Sequence, residues 1–511
     1  MAFSHRLAIA LALSATSCAQ TKVDPPIEPA TAAVTAAATS PGKLDVLFMI
    51  DDSSSMTSMQ QKLAAQIPAF VSVLQNLPTG LPSIHIAVVS SDMGAPGDST
   101  FAIGCTAHGD QGEFQLGTAG SASVDGGAGA LGCPGASLNS GATFISNVDG
   151  VANYTGDLSA LLSCMTTLGD KGCGFENQLG SISRALGADG SPAPSSNAGF
   201  LRPDAQLAII VLSNEDDCSA PVNTQLYSLV GAQQNLANPL GPIANYRCNQ
   251  FGHLCVDPAA VPSTCLTEPP LQPPADAQMT ASTPTLDLLD CVSDDTNGLV
   301  TPISSFVTGI KALKADPDHQ IWVGAIVAPA APYTVAWLPE AGGQNTQPGE
   351  LWPQVEHSCG PAGGDDVNPR ATQATTDGSF GDPAVRITQW VQGFGANGVI
   401  ASICDGNYAS SLSAIASNIG AQPSGGSSPV SGSGTGGASG SGTVPVCPNG
   451  ITHVPGAGGS GGVKSGLQNG GCDVAAARPT AASLGALLLS LFVSLAVIRR
   501  RRASARRSSL R

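Results

Sequence analysis

Charge is scarce along most of this chain: only 11% of its 511 residues are charged and 4% are aromatic. None of the 14 cysteines stands in a Cys-x-x-Cys pair, and the seven histidines contain no His-Glu-x-x-His, which removes the common zinc-finger and zinc-peptidase signatures. Acids are missing from residues 1–18 and 479–511, while seven of the 21 basic residues are arginines in the last thirteen positions. With those seven and Arg6 set aside, the stretch between carries 37 acids against 13 bases, a net charge of about −24. Such a surface repels phosphate backbones and argues against nucleic acid as a partner. It would attract divalent cations or basic surfaces, and it also serves solubility. Glycine (61) and proline (38) are abundant, so much of the length belongs to loops and linkers, yet a hydrophobic share of 42% still allows a sizeable core.

Both ends read as addresses. Residues 7–13 form an apolar run behind Arg6, too short to span a membrane and suited to a secretion signal. The run leads to Ala15-Thr16-Ser17-Cys18, which resembles a bacterial lipobox with Cys18 as the lipidated residue; ordinary signal cleavage near Ala19 is the alternative. At the other end, residues 481–498 give eighteen mostly apolar, uncharged positions followed at once by Arg499 to Arg502. That layout predicts a transmembrane helix with the arginines on the cytoplasmic side. Gly471-Cys472 precedes it, and the whole resembles the C-terminal sorting tails of myxobacterial surface proteins, with Cys472 near the processing point. A plain C-terminal anchor gives the same topology. Both readings predict an exported, membrane-anchored protein of the bacterial envelope, and scattered cysteines there imply disulfides. With Cys18 and Cys472 set aside, twelve cysteines remain, for which the neighbours Cys105–Cys133 and Cys164–Cys173 are candidate pairs.

Between the addresses, residues 19–42 form a Pro/Ala/Thr tether and residues 421–471 a Gly/Ser-rich linker, which leaves 43–420 as the folded part, ahead of a tail over 472–511. Within it five apolar runs recur, at residues 46–50, 84–89, 207–212, 321–327 and 399–403. Continuous apolar runs suit parallel strands covered on both faces. Helical spacing follows the first run at Met56, Met59, Leu63, Ile67, Phe70 and Leu74, with Pro68 inside, and shorter helical patterns lie at 175–186, 302–313 and 408–419. Strand alternating with helix predicts an α/β fold, a doubly wound and mostly parallel sheet with helices on both faces. Two long insertions, about 95–150 and 214–290, carry Gly, Pro, Asn and Cys without periodicity.

Directly after the first run stands Met49-Ile50-Asp51-Asp52-Ser53-Ser54-Ser55-Met56. Alternate residues on a tight strand-to-helix turn point a carboxylate and two hydroxyls to one side, oxygen donors of the kind a hard divalent cation takes. The competing role for Ser55 is to cap the helix that follows. The Asp-x-Ser-x-Ser pattern of Asp51, Ser53 and Ser55 resembles the metal-ion-dependent adhesion site of the von Willebrand factor A (VWFA) family, and the likeness spans 43–420 apart from the insertions. It implies a Rossmann-like fold and a magnesium or calcium ion with a position left open for an acidic group of an extracellular protein or surface ligand.

The remainder of the pattern departs from that family. Where a threonine is expected the chain reads Gly172-Cys173-Gly174-Phe175-Glu176, so Glu176 is a candidate substitute, with Thr166 and Thr167 as alternatives. Where an aspartate follows the fourth strand the chain has Asn214, then Glu215, Asp216 and Asp217. The candidate ligand set is therefore Asp51, Ser53, Ser55, Glu176, Asn214 and Asp216, and a solvated acidic turn tied down by Cys218 is the plainer reading of the last segment. Glu-Asp-Asp-Cys-Ser together with Gly-Cys-Gly-Phe-Glu is similar to a cysteine-containing bacterial subgroup of A-domain surface proteins. Catalytic signatures fail on context. Gly127 to Gly132 spells a dinucleotide fingerprint without a preceding strand, and Gly458 to Gly462 a nucleophile elbow inside the linker. His85 reads as a packed core residue, and Asp294-Asp295 and Asp365-Asp366 as loop surface. The expectation is a binding module rather than an enzyme, with a metal-free structural envelope protein acting through its insertions as the alternative.

Overall fold

The computed structural model describes residues 42–420, less 78–79, 96–104, 118–131, 223, 228–239, 241–244, 258–268, 272–284, 340–350, 362–373 and 376. The expected leader and tether, the linker, Cys18, Cys472 and the helix over 481–498 lie outside the described residues. Among the described residues no helix is long and apolar enough to cross a membrane.

A seven-stranded sheet organises the chain: β1 (Lys43–Ile50), β2 (Ser83–Ser90), β3 (Ile145–Val148), β4 (Val151–Ala152), β5 (Gln206–Leu212), β6 (Ile321–Val327) and β7 (Gly398–Ser402). Their order is β7-β6-β5-β1-β2-β3-β4. The five expected strands pair in parallel, while the short β3 and β4 add antiparallel at one edge. Both faces are covered. Leu44, Val46, Phe48 and Ile50 of β1 pack with α1 (Thr57–Gln75), α2 (Leu158–Met165) and, beyond α3 to α6, α7 (Ala409–Gly420). Leu47 and Met49, pointing the other way, pack with α3 (Gln178–Leu186), α5 (Ile303–Lys311) and α6 (Val385–Gln392). An α4 (Asn245–Gly252) lies in the second insertion.

All six apolar positions read from the spacing of α1 are buried. Pro68 sits inside that helix and has no N–H for the Ala64 carbonyl; Ser163 Oγ of α2 donates to Ala64 O at 2.8 Å instead. The second insertion and the segment between β6 and α6 contain more order than their composition suggested. His253–Val256, Leu286–Ser293, Tyr333–Pro339 and Leu351–Val355 form a four-stranded antiparallel sheet. Asp294, expected at the surface, is buried, its carboxylate accepting from Thr296 N, Thr296 Oγ1 and Asn297 Nδ2.

Among the described residues five disulfides join Cys105–Cys173, Cys133–Cys164, Cys218–Cys248, Cys255–Cys291 and Cys359–Cys404. The pairing of sequence neighbours, Cys105–Cys133 and Cys164–Cys173, is thereby corrected. Cys133 lies in the short strand Gly132–Cys133, which packs against α2 and so meets Cys164. Cys105, beyond the end of β2, meets Cys173 in the loop before α3.

Candidate functional site

Parallel register builds the site. Ile50 of β1 pairs with Ser90 of β2 and with Leu212 of β5, so the next residue on each chain, Asp51, Ser91 and Ser213, shares one row at the carboxyl edge. The chain leaves β1 toward β2 on one side and returns to β5 on the other, and doubly wound sheets open their ligand crevice at that switch. Asp51 is fully buried there. Its Oδ1 accepts from Ser53 N at 2.9 Å and Ser91 Oγ at 3.1 Å, and its Oδ2 from Ser213 Oγ at 2.6 Å. Burial pushes the Asp51 carboxyl up, against the pull of these donors.

The two serines of the turn face across to the β5 loop. Ser53 Oγ lies 3.4 Å from Ser55 Oγ, and Ser55 Oγ donates to Asn214 Oδ1 at 3.0 Å. The capping role for Ser55 is not the one observed: α1 is preceded by Met56, and no side chain caps it. Nor is the β5 loop a solvated turn, since Ser213, Asn214, Asp216 and Asp217 are all buried.

The three acids after Asn214 divide their work. Asp216 faces away from the serines and accepts from Arg386 N at 2.7 Å and Ile387 N at 3.1 Å, satisfying the open N–H groups at the start of α6, with His253 Nε2 2.8 Å from the same carboxylate. Asp217 does the same for α3 through Leu179 N at 2.9 Å and pairs with Arg386 Nη2 at 3.0 Å. Glu215 is hydrogen-bonded to Glu176 and lies within electrostatic reach of Asp51. Burial, then repulsion from Glu215 and Asp51, raises the Glu176 carboxyl well above its ordinary range. Burial, then repulsion from Asp382 and Asp51, brings Glu215 up to about 8. A narrow pocket opens between Glu176, Glu215, Asp382 and His253.

Thr166 and Thr167 do not reach the cluster; their hydroxyls donate back to Leu162 O and Ser163 O at the end of α2. Several participants carry no local sequence signal. Gln60 of α1 donates to Asp51 O at 2.8 Å and Gly169 O at 2.9 Å and accepts from Leu168 N and Gly169 N, which ties the loop before α3 to the end of β1. Gly172 N donates to Asp52 O at 2.8 Å, and the approach is so close that a Cβ at Gly172 would collide with the Asp52 carboxylate. Asp52 itself is pushed up to about 8 by burial and then by Asp51, Asp92 and Asp110, and Asp92 to about 6 by burial and Asp110. Two disulfides, Cys105–Cys173 and Cys218–Cys248, fasten the loops that carry Glu176 and Glu215.

What the arrangement offers is oxygen: two hydroxyls and an amide at Ser53, Ser55 and Asn214, with buried acids beside them and His357 within electrostatic reach of Glu215. Among the described residues no group of three or more His, Cys, Asp or Glu side chains has a metal-holding arrangement. Two buried polar atoms beside the site, Asn214 Nδ2 and Gln178 Oε1, have no hydrogen-bond partner. The fold and this cleft define a mixed α/β protein with a mostly parallel, disulfide-braced sheet and an acid-rich crevice at its carboxyl edge. No family model and no curated protein matches the chain.

Proposed function

We propose that the protein is a cell-surface adhesion or interaction module of the VWFA type, which binds an acidic group of an extracellular partner through a divalent cation at Asp51, Ser53, Ser55 and Asn214, with Glu176 and Glu215 beside them. One observation carries the reading. Ser55 Oγ spans to Asn214 Oδ1 at 3.0 Å instead of capping α1, so oxygens from two separate loops converge over a buried carboxylate. Magnesium and calcium both take hard oxygen donors of this kind. The leader ending at Cys18 and the apolar, arginine-ended tail after Cys472 support export and membrane anchoring. The reading is of binding, since the catalytic signatures of the sequence lack their supporting context.

A second reading, a metal-free structural envelope protein that interacts through its disulfide-bonded insertions, is favoured by the Glu176–Glu215 pair. The two carboxyls are hydrogen-bonded to each other, and disulfides hold both loops without an ion. Calorimetric titration of the full chain with magnesium or calcium separates the two. The adhesion reading expects saturable binding that Asp51→Ala weakens by about a hundred-fold or more, since even indirect partners of a metal site are worth about ten- to a hundred-fold. No binding, or binding unaltered in Asp51→Ala, transfers the protein to the second reading.

A further inference from the structure

Between β6 and α6 a short strap, Asp377 to Asp382, returns to the carboxyl edge of the sheet beside the β5 loop. One end of the strap is fastened by Lys62 of α1. Lys62 Nζ lies 2.6 Å from Asp377 Oδ2 and donates to Ser379 Oγ at 2.7 Å and to Asp405 O at 3.0 Å, with the Tyr408 ring 4.9 Å away. Its side chain is 13% exposed, so this is an ordered lysine and not a loose surface ion pair. At the other end Asp382 N donates to Asn214 O at 2.8 Å. Gly381 passes so near that a Cβ there would lie 3.0 Å from the same carbonyl and 2.7 Å from Ala328 Cβ. Cys359 exchanges backbone hydrogen bonds with Gly381 and is joined to Cys404, which ties the strap to the turn that Lys62 also holds. Asn214 closes the circuit, because its Oδ1 accepts from Ser55, just ahead of the helix that carries Lys62.

We infer that Lys62 is a positioning residue of the cation site: by clamping the strap it fixes the Asn214 peptide, and with it the orientation in which the Asn214 carboxamide meets Ser55. The inference rests on the cation reading proposed above. Lys62 acts through the strap and does not touch the ion. The sign of its effect sets it apart from simple electrostatics. A positive charge near a cation site opposes binding through space, so loss of that charge alone would tighten the ion. Loss of a clamp weakens it.

Calcium affinity is measured by calorimetry on the full chain, Lys62→Met, Lys62→Arg, Asn214→Ala and the variant carrying both Lys62→Met and Asn214→Ala, each below its unfolding temperature in chelator. The inference expects Lys62→Met to weaken calcium roughly five-fold, the scale on which residues of a contact network alter a site they do not touch. Lys62→Arg, which keeps the charge and the donors, should stay within about two-fold of the wild type. In the Asn214→Ala background Lys62→Met should add no weakening. Unchanged or tighter binding in Lys62→Met overturns the inference and leaves the cation site standing. The same weakening with Asn214 already replaced also overturns it, because Lys62 would then act by general loss of structure and not through Asn214. Absence of calcium binding in the wild-type chain sinks the cation reading itself and the inference with it.

Discussion

The two ends of β1 bury carboxylates in opposite ways. At the amino end Asp45 accepts from Arg202 N and Arg202 Nε, each at 2.8 Å, with Lys314 Nζ 3.9 Å away and His85 Nδ1 at 3.7 Å. Burial still pushes Asp45 up, but Arg202 and Lys314 pull the other way. At the carboxyl end Asp51, Asp52, Glu176 and Glu215 have hydroxyls, amides and one another as neighbours, with His357 within electrostatic reach of Glu215. The first end draws its cationic partners from the chain itself. The second leans on hydroxyls, amides and neighbouring acids, and under the cation reading an external ion would complete it.

Breaking the amino-end cluster should have the largest effect on stability. Arg202→Ala leaves Asp45 buried without its main partner and is expected to cost about 3 kcal/mol in denaturant unfolding. Because the cluster lies at the opposite edge of the sheet, calcium affinity of the folded variant should stay unchanged; a matching loss of affinity would erase the contrast between the ends.

The carboxyl end should show itself in pH dependence. Glu215 and Asp52 are raised in the folded chain to about 8, above their unfolded values, so the folded state binds extra protons. Their contribution is fully present below about pH 4 and is lost as pH rises through about 8, by on the order of a few kcal/mol for the metal-free protein. Unfolding free energies measured from pH 5 to 9 in chelator should therefore fall with pH; a flat profile would mean that these acids are not confined as described.

Ser55→Ala should have the smallest effect on stability. A helix cap would cost about 1 kcal/mol on removal, but α1 takes no cap from Ser55, so less than about 0.5 kcal/mol is expected in unfolding, together with a clear loss of cation affinity. A loss near 1 kcal/mol with affinity intact would return Ser55 to the capping role.

The sequence carried the central sheet because its five parallel strands are continuous apolar runs, and it carried α1 because Met59, Leu63, Ile67, Phe70 and Leu74 keep one face. The edge strand Ile145–Val148 and the antiparallel sheet were hidden by mixed, half-exposed segments such as Leu286–Ser293, which no simple period describes. The same limit applies to the site. Asp51, Ser53 and Ser55 are legible because they are local in sequence. Ser91 and Ser213 meet them only through strand register, and the one signal available was that each follows an apolar run at the position equivalent to Asp51. The run Glu215-Asp216-Asp217 misled because alternation in a tight turn sends its members to different helices: Asp216 to α6 and Asp217 to α3.

The most direct test of the contrast is thermal unfolding of the full chain at pH 8, in chelator and in saturating magnesium or calcium. A cation that completes the carboxyl edge binds only the folded state, so the account predicts a higher Tm with the ion, by an amount that grows with its concentration and disappears in Asp51→Ala. An unchanged Tm at saturating magnesium and calcium would contradict it.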